Sequence, residues 1–274
     1  MRKRYRKLRR RKHKSLMRNT IIVMIVLTLG FATGYSAFQT VISINAKGNI
    51  KDLKKEVDDK VPTNDLLFWG QADNKDNTLT TLKDKSSHAN DGILNNFDND
   101  STSGYNDDEL IFDGVNDYVN IGYANYDFHN TQSYVIYVKK LSNKNAFQKI
   151  ICNQGNGGVA LDYTSVNIAN VVAYNGSNWI HTRNTDISPI NLNEYYTLIY
   201  TYDGQNVNLY INGELVKTQK IDIVMNSNSP MIIGKHYSTN ETTNMSVKEI
   251  LIYDRTLTEE EIKTITEGFE RKYK

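Results

Sequence analysis

The strongest constraint in this chain is the run from Tyr196 to Val216, where three short apolar segments are separated by two dipeptides of one kind. Tyr196-Thr197-Leu198-Ile199-Tyr200-Thr201-Tyr202 is followed by Asp203-Gly204, Val207-Asn208-Leu209-Tyr210-Ile211 by Asn212-Gly213, and the third segment opens with Leu215-Val216. Asp-Gly and Asn-Gly are the pairs that tight hairpin turns select, because the central residues must take positive φ. The pattern predicts three antiparallel strands. In the middle one Val207, Leu209 and Ile211 alternate with Asn208 and Tyr210, so one face is buried and the other is at least partly wet.

Further β signals recur at 66–69, 92–94, 109–112, 118–121, 133–138, 148–152, 159–163, 170–174, 179–183, 231–233 and 247–253, with no long helical period between them. Eighteen tyrosines against three prolines, set between Asn, Asp and Gly, agree with β structure. Strands this numerous and evenly punctuated form a sandwich or barrel, not a βαβ sheet. One helix is expected at the end: Thr258 and Glu261 form a capping box, Leu257 and Ile262 a hydrophobic staple, and Ile262, Ile265 and Phe269 share a face.

Residues 202–216, Tyr-Asp-Gly-Gln-Asn-Val-Asn-Leu-Tyr-Ile-Asn-Gly-Glu-Leu-Val, resemble the signature of laminin G-like jelly rolls in the concanavalin A-like lectin/glucanase superfamily. Three more pieces are similar to that family and follow its order: 81–92, 112–119 and 249–262. The resemblance spans about Leu66 to Tyr273. It implies an all-β, two-sheet antiparallel jelly-roll sandwich with a short C-terminal helix. Two departures stand out: Ser87-His88-Ala89 replaces glycines of the early turn, and Lys248 stands where the family often carries an acid before the last strand. Both weaken an inherited Ca²⁺ site, for which Asp73, Asp84, Asp91 and Asp254 are the candidate oxygen ligands.

The N-terminal part has a different character. Residues 1–38 hold 11 Lys/Arg and no acid, leaving 22 basic against 31 acidic groups downstream, so the remainder carries about −9. That balance argues against nucleic acid as a partner, since a phosphate-binding surface needs cations on the folded domain. Residues 1–19 read as a basic cytoplasmic segment, 20–38 as one N-terminal transmembrane helix or a cleaved signal, 39–62 as a linker or stalk, and 63–274 as the sandwich domain. The positive-inside rule puts the N-terminus in the cytoplasm and the C-terminal domain outside the cell membrane, or secretes it if the signal is cleaved. Cys152 is the only cysteine, which excludes an internal disulfide and fits a buried small residue.

Catalytic patterns are sparse. Glycoside hydrolysis needs two carboxyl groups flanking the scissile bond, and acids alternating along a strand would mark them; Asp107-Asp108-Glu109 reads as a turn, Glu249 is alone, and Glu259-Glu260-Glu261 begins the helix. The histidines at 13, 88, 129, 181 and 236 show neither triad nor metal spacing. The remaining expectation is an extracellular recognition module, without catalysis, that binds a glycan or surface protein. Sugars stack on aromatic faces and are fixed by amides, so the candidate contacts are Trp179, Tyr126, Tyr123, Tyr174, Asn153, Asn156 and Tyr237, on loops of the sandwich. The alternatives are a structural subunit of a cell-surface assembly and, third, a glycoside hydrolase.

Overall fold

The computed structural model describes residues 51, 53–122, 131–182, 187–225 and 229–273. The chain divides into two compact units, 1–59 and 60–274. Of the first, the described part is helical from 53 to 58. Among the described residues no helix is long and apolar enough to cross a membrane. The basic segment 1–19 and the apolar segment 20–38 lie outside the described residues.

The second unit is a sandwich of two antiparallel sheets. The first sheet runs β14 (Glu214–Lys220), β13 (Asn206–Ile211), β12 (Tyr195–Tyr202), β7 (Gln132–Lys140), β16 (Asn244–Tyr253), β5 (Glu109–Asp113) and β4 (Gly104–Asn106). Here β16 spans two partners on one side, pairing with β5 through 244–247 and with β1 (Leu66–Gln71) through 249–253. The second sheet runs β11 (Trp179–His181), β10 (Ala169–Tyr174), β9 (Val159–Tyr163), β8 (Gln148–Cys152), β15 (Met231–Ile233), β6 (Tyr118–Gly122), β3 (Gly92–Asn95) and β2 (Thr81–Leu82). β2 and β4, two and three residues long, lie where the sequence carries no strand signal.

The expected hairpins form. Asn212 and Gly213 both have positive φ, 51° and 82°, and the Asp203 carboxylate accepts from the backbone N–H groups of Gln205 and Asn206 at 2.9 and 2.6 Å. Val207 and Leu209 face the core between the sheets. Tyr210, expected on a partly wet face, is buried, because a second apolar layer covers the outside of the first sheet.

That layer explains why β7 is buried along nearly its whole length. Tyr134, Ile136 and Val138 point between the sheets, while Val135 and Tyr137 point outward into a cluster with Trp69, Ile199, Leu251 and Tyr253. The C-terminal helix (Glu259–Tyr273) lays Ile262, Ile265 and Phe269 on this cluster. Burying three such side chains contributes roughly 1.5–3 kcal/mol each. Its capping box is made: Thr258 N–H donates to Glu261 Oε2 at 2.9 Å and Glu261 N–H to Thr258 Oγ1 at 3.3 Å. The far end is fastened at Glu249, whose carboxylate accepts from Trp69 Nε1, Gln71 Nε2, Lys272 Nζ and Tyr273 OH between 2.7 and 3.0 Å.

Candidate functional site

At one end of the second sheet β10 and β11 form a hairpin in which Tyr174 lies directly opposite Trp179. Directly opposed residues share a face, and their ring centroids are 5.0 Å apart at 45°. The turn between them is held by its own amides: Asn175 Oδ1 accepts from Ser177 N–H at 3.0 Å and Asn178 N–H at 2.8 Å, and Tyr174 OH donates to Gly176 O at 3.0 Å. The aromatic pair is therefore fixed before any ligand arrives. Trp179 remains 39% exposed.

The β8–β9 loop approaches from one side and residues 221–225 cross between the two hairpins. Val224 N–H donates to Tyr174 O at 2.8 Å, and Gly158 N–H donates to Val224 O at 2.7 Å. The crossing is so close that a Cβ on Gly157 would stand 2.6 Å from Val224 O and 2.9 Å from Met225 O. Val224 is left 41% exposed beside the aromatic pair. Trp179, Tyr174 and Val224 thus make an apolar platform with the exposed Asn156, Asn175 and Asn178 on its loops.

The seven expected contact residues separate accordingly. Trp179, Tyr174 and Asn156 come to this end of the sheet. Asn153 does too, but it is buried and its amide donates to Ser229 O at 3.3 Å, so it holds the loop from within. Tyr237 lies at the opposite end: β15 runs from Ile232 opposite Cys152 toward Gly234, which donates to Ile150 O, and Tyr237 follows in that direction. It is 45% exposed, its ring 4.9 Å from His236. Tyr123 and Tyr126 lie outside the described residues. Val224 was missed because a lone valine between strands carries no sequence signal of its own.

Sequence reasoning also missed a polar network on the outer face of β8, β9 and β10. Lys149 Nζ donates to Asp162 Oδ2 at 2.6 Å, Asn170 Nδ2 to Asp162 Oδ1 at 2.8 Å, and His181 Nδ1 stands 3.3 Å from Asn170 Nδ2. Glu241 approaches Lys149 to 3.6 Å. Burial works against the Lys149 charge, but the Asp162 carboxylate outweighs it and raises the ammonium above its ordinary value. Lys149 and Asp162 are buried, so the network orders the face beneath the loops and offers no open carboxylate. The available signal was one charge inside each of two otherwise apolar strands. Cys152 is buried on the same face, and burial pushes its thiol up to about 12.

The candidate calcium ligands are not gathered. Asp84 Oδ1 accepts from the N–H groups of Trp69 and Ser86, and Oδ2 from Ser86 Oγ and Asn90 N–H, all between 2.7 and 2.9 Å. Asp91 accepts from Asp84 N–H at 3.0 Å and from Lys83. Among the described residues no three His, Cys, Asp or Glu side chains stand as a metal site. Ala89 holds φ +53° in the turn where the family carries glycines. Lys248 lies within β16, not ahead of it, where it ion-pairs with Asp108 at 3.0 Å between the rings of Tyr195 and Tyr273.

Glu109 begins β5, where a strand signal was expected, and shares its outward face with Asp113, an alternation of acids the sequence reading did not find. Four residues of strand separate their Cα atoms by about 13 Å. Both are also engaged: Glu109 accepts from Lys139 Nζ at 3.0 Å and Ser246 Oγ at 2.7 Å, and Asp113 Oδ1 from Val115 N–H at 2.7 Å. Burial opposes the Glu109 charge, but these donors hold its carboxyl below the usual range.

The sequence model of a laminin G-type family, described as the concanavalin A-like lectin/glucanases superfamily, matches residues 113–263, more than half of the chain. No curated protein sequence matches. Among solved structures, the chain is similar to a Trypanosoma rangeli sialidase, with TM-score 0.60 and 16% identity over 82% of this chain and 39% of that one. The same sialidase in complex with sialic acid gives 0.59 and 16%, over 83% and 39%. The binding domain of botulinum neurotoxin DC in complex with SialylT gives 0.57 and 15%, over 76% and 52%. At these identities the likeness shows the fold. The chain spans about two fifths of the sialidase and about half of the toxin domain.

Proposed function

The chain belongs to the concanavalin A-like lectin/glucanase superfamily, and we propose that its sandwich is a non-catalytic carbohydrate-recognition module. The observation that carries this reading is the prefixed Tyr174–Trp179 pair, with Val224 beside it and three exposed asparagines on its loops. Such a platform covers the C–H face of a sugar ring while amides take its hydroxyls. The engagement of Glu109 and Asp113 in internal hydrogen bonds supports binding without hydrolysis, as does the enclosure of Glu249.

The basic residues 1–19 followed by the apolar residues 20–38 support a single-pass anchor with its N-terminus in the cytoplasm. In this reading the module is displayed outside the cell, facing extracellular glycans.

The test is a glycan array with the full-length chain in detergent micelles, beside its Trp179→Ala variant. Selective binding that falls at least tenfold in the variant supports the module and its site. Turnover of a polysaccharide by the wild type, or selective binding indifferent to Trp179, overturns it.

A further inference from the structure

A second surface has the chemistry of a sugar site, on the other sheet. The outward face of β4, β5, β7 and β16 forms a groove of about 650 Å³. Its floor is the half-buried pair Glu109–Lys139, backed by Ser246 and by Tyr195, whose hydroxyl lies 2.8 Å from Ser246 Oγ. Ile111 and Leu141 add apolar surface. Asn106 and Asn244 line the walls, and among the described residues neither side-chain amide is spent on a hydrogen bond.

The groove is built and not merely exposed. Asn244 is pinned, since a Cβ on Gly114 would stand 2.7 Å from its own Cβ. The rim loop is held from inside: Asp100 Oδ1 accepts from Thr102 N–H at 2.7 Å and Ser103 N–H at 3.1 Å, while Ser103 Oγ donates to Asp117 Oδ2 at 2.8 Å. Two unspent amides beside a fixed carboxylate and ammonium offer donors and acceptors in alternation, which is what the vicinal hydroxyls of a sugar require. The carboxylates of Glu109 and Asp113 are matched by the ammonium groups of Lys139 and of Lys144, which bonds Gly114 O beside Asp113, so the groove holds no excess cation to draw an acidic sugar.

We propose that this groove is a second carbohydrate site, selective for neutral over acidic sugars, which makes the module bivalent. The inference rests on the recognition reading above and adds to it a site on the opposite sheet. Two sites on one rigid domain raise avidity toward a repeating polymer without any new contact at either.

The experiment titrates the full-length chain in detergent with neutral hexasaccharides (cellohexaose, laminarihexaose and chitohexaose) and with sialyllactose, beside Asn106→Ala and Trp179→Ala. Asn106 is exposed and makes no internal side-chain bond, so its variant folds. The expected result is two sugars per wild-type chain with one neutral probe, and one for each variant. The Trp179→Ala chain, left with the groove alone, should bind sialyllactose more weakly than the neutral probe. One sugar per wild-type chain, lost with Trp179 and indifferent to Asn106, overturns the groove and leaves the recognition reading standing. Binding lost with Asn106 but indifferent to Trp179 supports the groove and overturns the aromatic platform. No binding by the wild type overturns both.

Discussion

The Lys272 ammonium lies 3.0 Å from Glu249 Oε2, and the two side chains retain 1% and 0% of their exposure to water. A pair so enclosed gains little over an apolar one, but each partner is costly without the other. Lys272→Met strands the carboxylate beneath the C-terminal helix and is expected to cost about 3–5 kcal/mol. Adding Glu249→Gln, which removes the stranded charge, should return most of that. Urea denaturation of both variants measures it; a single variant within 1 kcal/mol of wild type would show the clasp to be weak.

Ala89 makes a prediction of opposite sign. At φ +53° its Cβ is disfavoured, while glycine visits that region freely. Ala89→Gly is expected to stabilise the fold by about 0.5–1 kcal/mol, the relief exceeding the added freedom of the unfolded chain. A loss of stability in the same assay would mean that the methyl group earns its place through packing.

Asp117 gives the stability a pH signature. It is buried, its Oδ1 has no hydrogen-bond partner, and burial lifts its carboxyl to about 6 against the opposing bonds from Asp113 N–H and Ser103 Oγ. The folded state therefore holds this proton where the unfolded chain has released it. Stability falls as pH rises from about 4 to about 6 and is level above. Relative to Asp117→Asn, which cannot titrate, the wild type is expected to lose on the order of 2 kcal/mol across that window. A difference that stays flat, or grows with pH, would contradict the shift.

The Gly157 crossing joins stability to binding. Gly157→Ala drives a methyl group into the backbone of Val224 and Met225, which must move away from the Tyr174 hairpin. Overpacking of this kind costs about 1–3 kcal/mol. Glycan binding at the Trp179 end is expected to weaken with it, whereas Trp179→Ala should weaken binding and leave the melting temperature nearly unchanged. If both variants alter only stability, residues 221–225 have no part in recognition.

Chelation is a further discriminator. Because the Asp84 and Asp91 carboxylates are occupied by their own turn, binding is expected to be the same in calcium and in EDTA. A chelator-dependent loss would require a metal held elsewhere in the chain.

Much of this architecture was legible because it is local. Asp203-Gly204 and Asn212-Gly213 declare their turns, Thr258 and Glu261 their helix start, and alternation in β13 its core face. What could not be read is adjacency across distance. Lys149 and Asp162 occupy separate strands, and Glu249 meets Trp69 from 180 residues away. Alternation says that a side chain faces outward but not whether a helix or loop then covers it, so Tyr210 read as partly wet. The candidate site residues suffered most: Trp179 and Tyr174 announce themselves by size, whereas Val224, Asn106 and Asn244 acquire meaning only from the neighbours that topology brings.

The first sheet ends on β14, a seven-residue border strand whose backbone has no partner on its outer side. An unguarded border of that length invites another copy to add itself. Lys217 and Lys220 stand along this border, and two copies approaching edge to edge bring ammonium against ammonium. The opposite borders, β4, β2 and β11, are only two or three residues long. The lysines along β14 thus weigh against growth of the sheet by edge-to-edge addition of another copy.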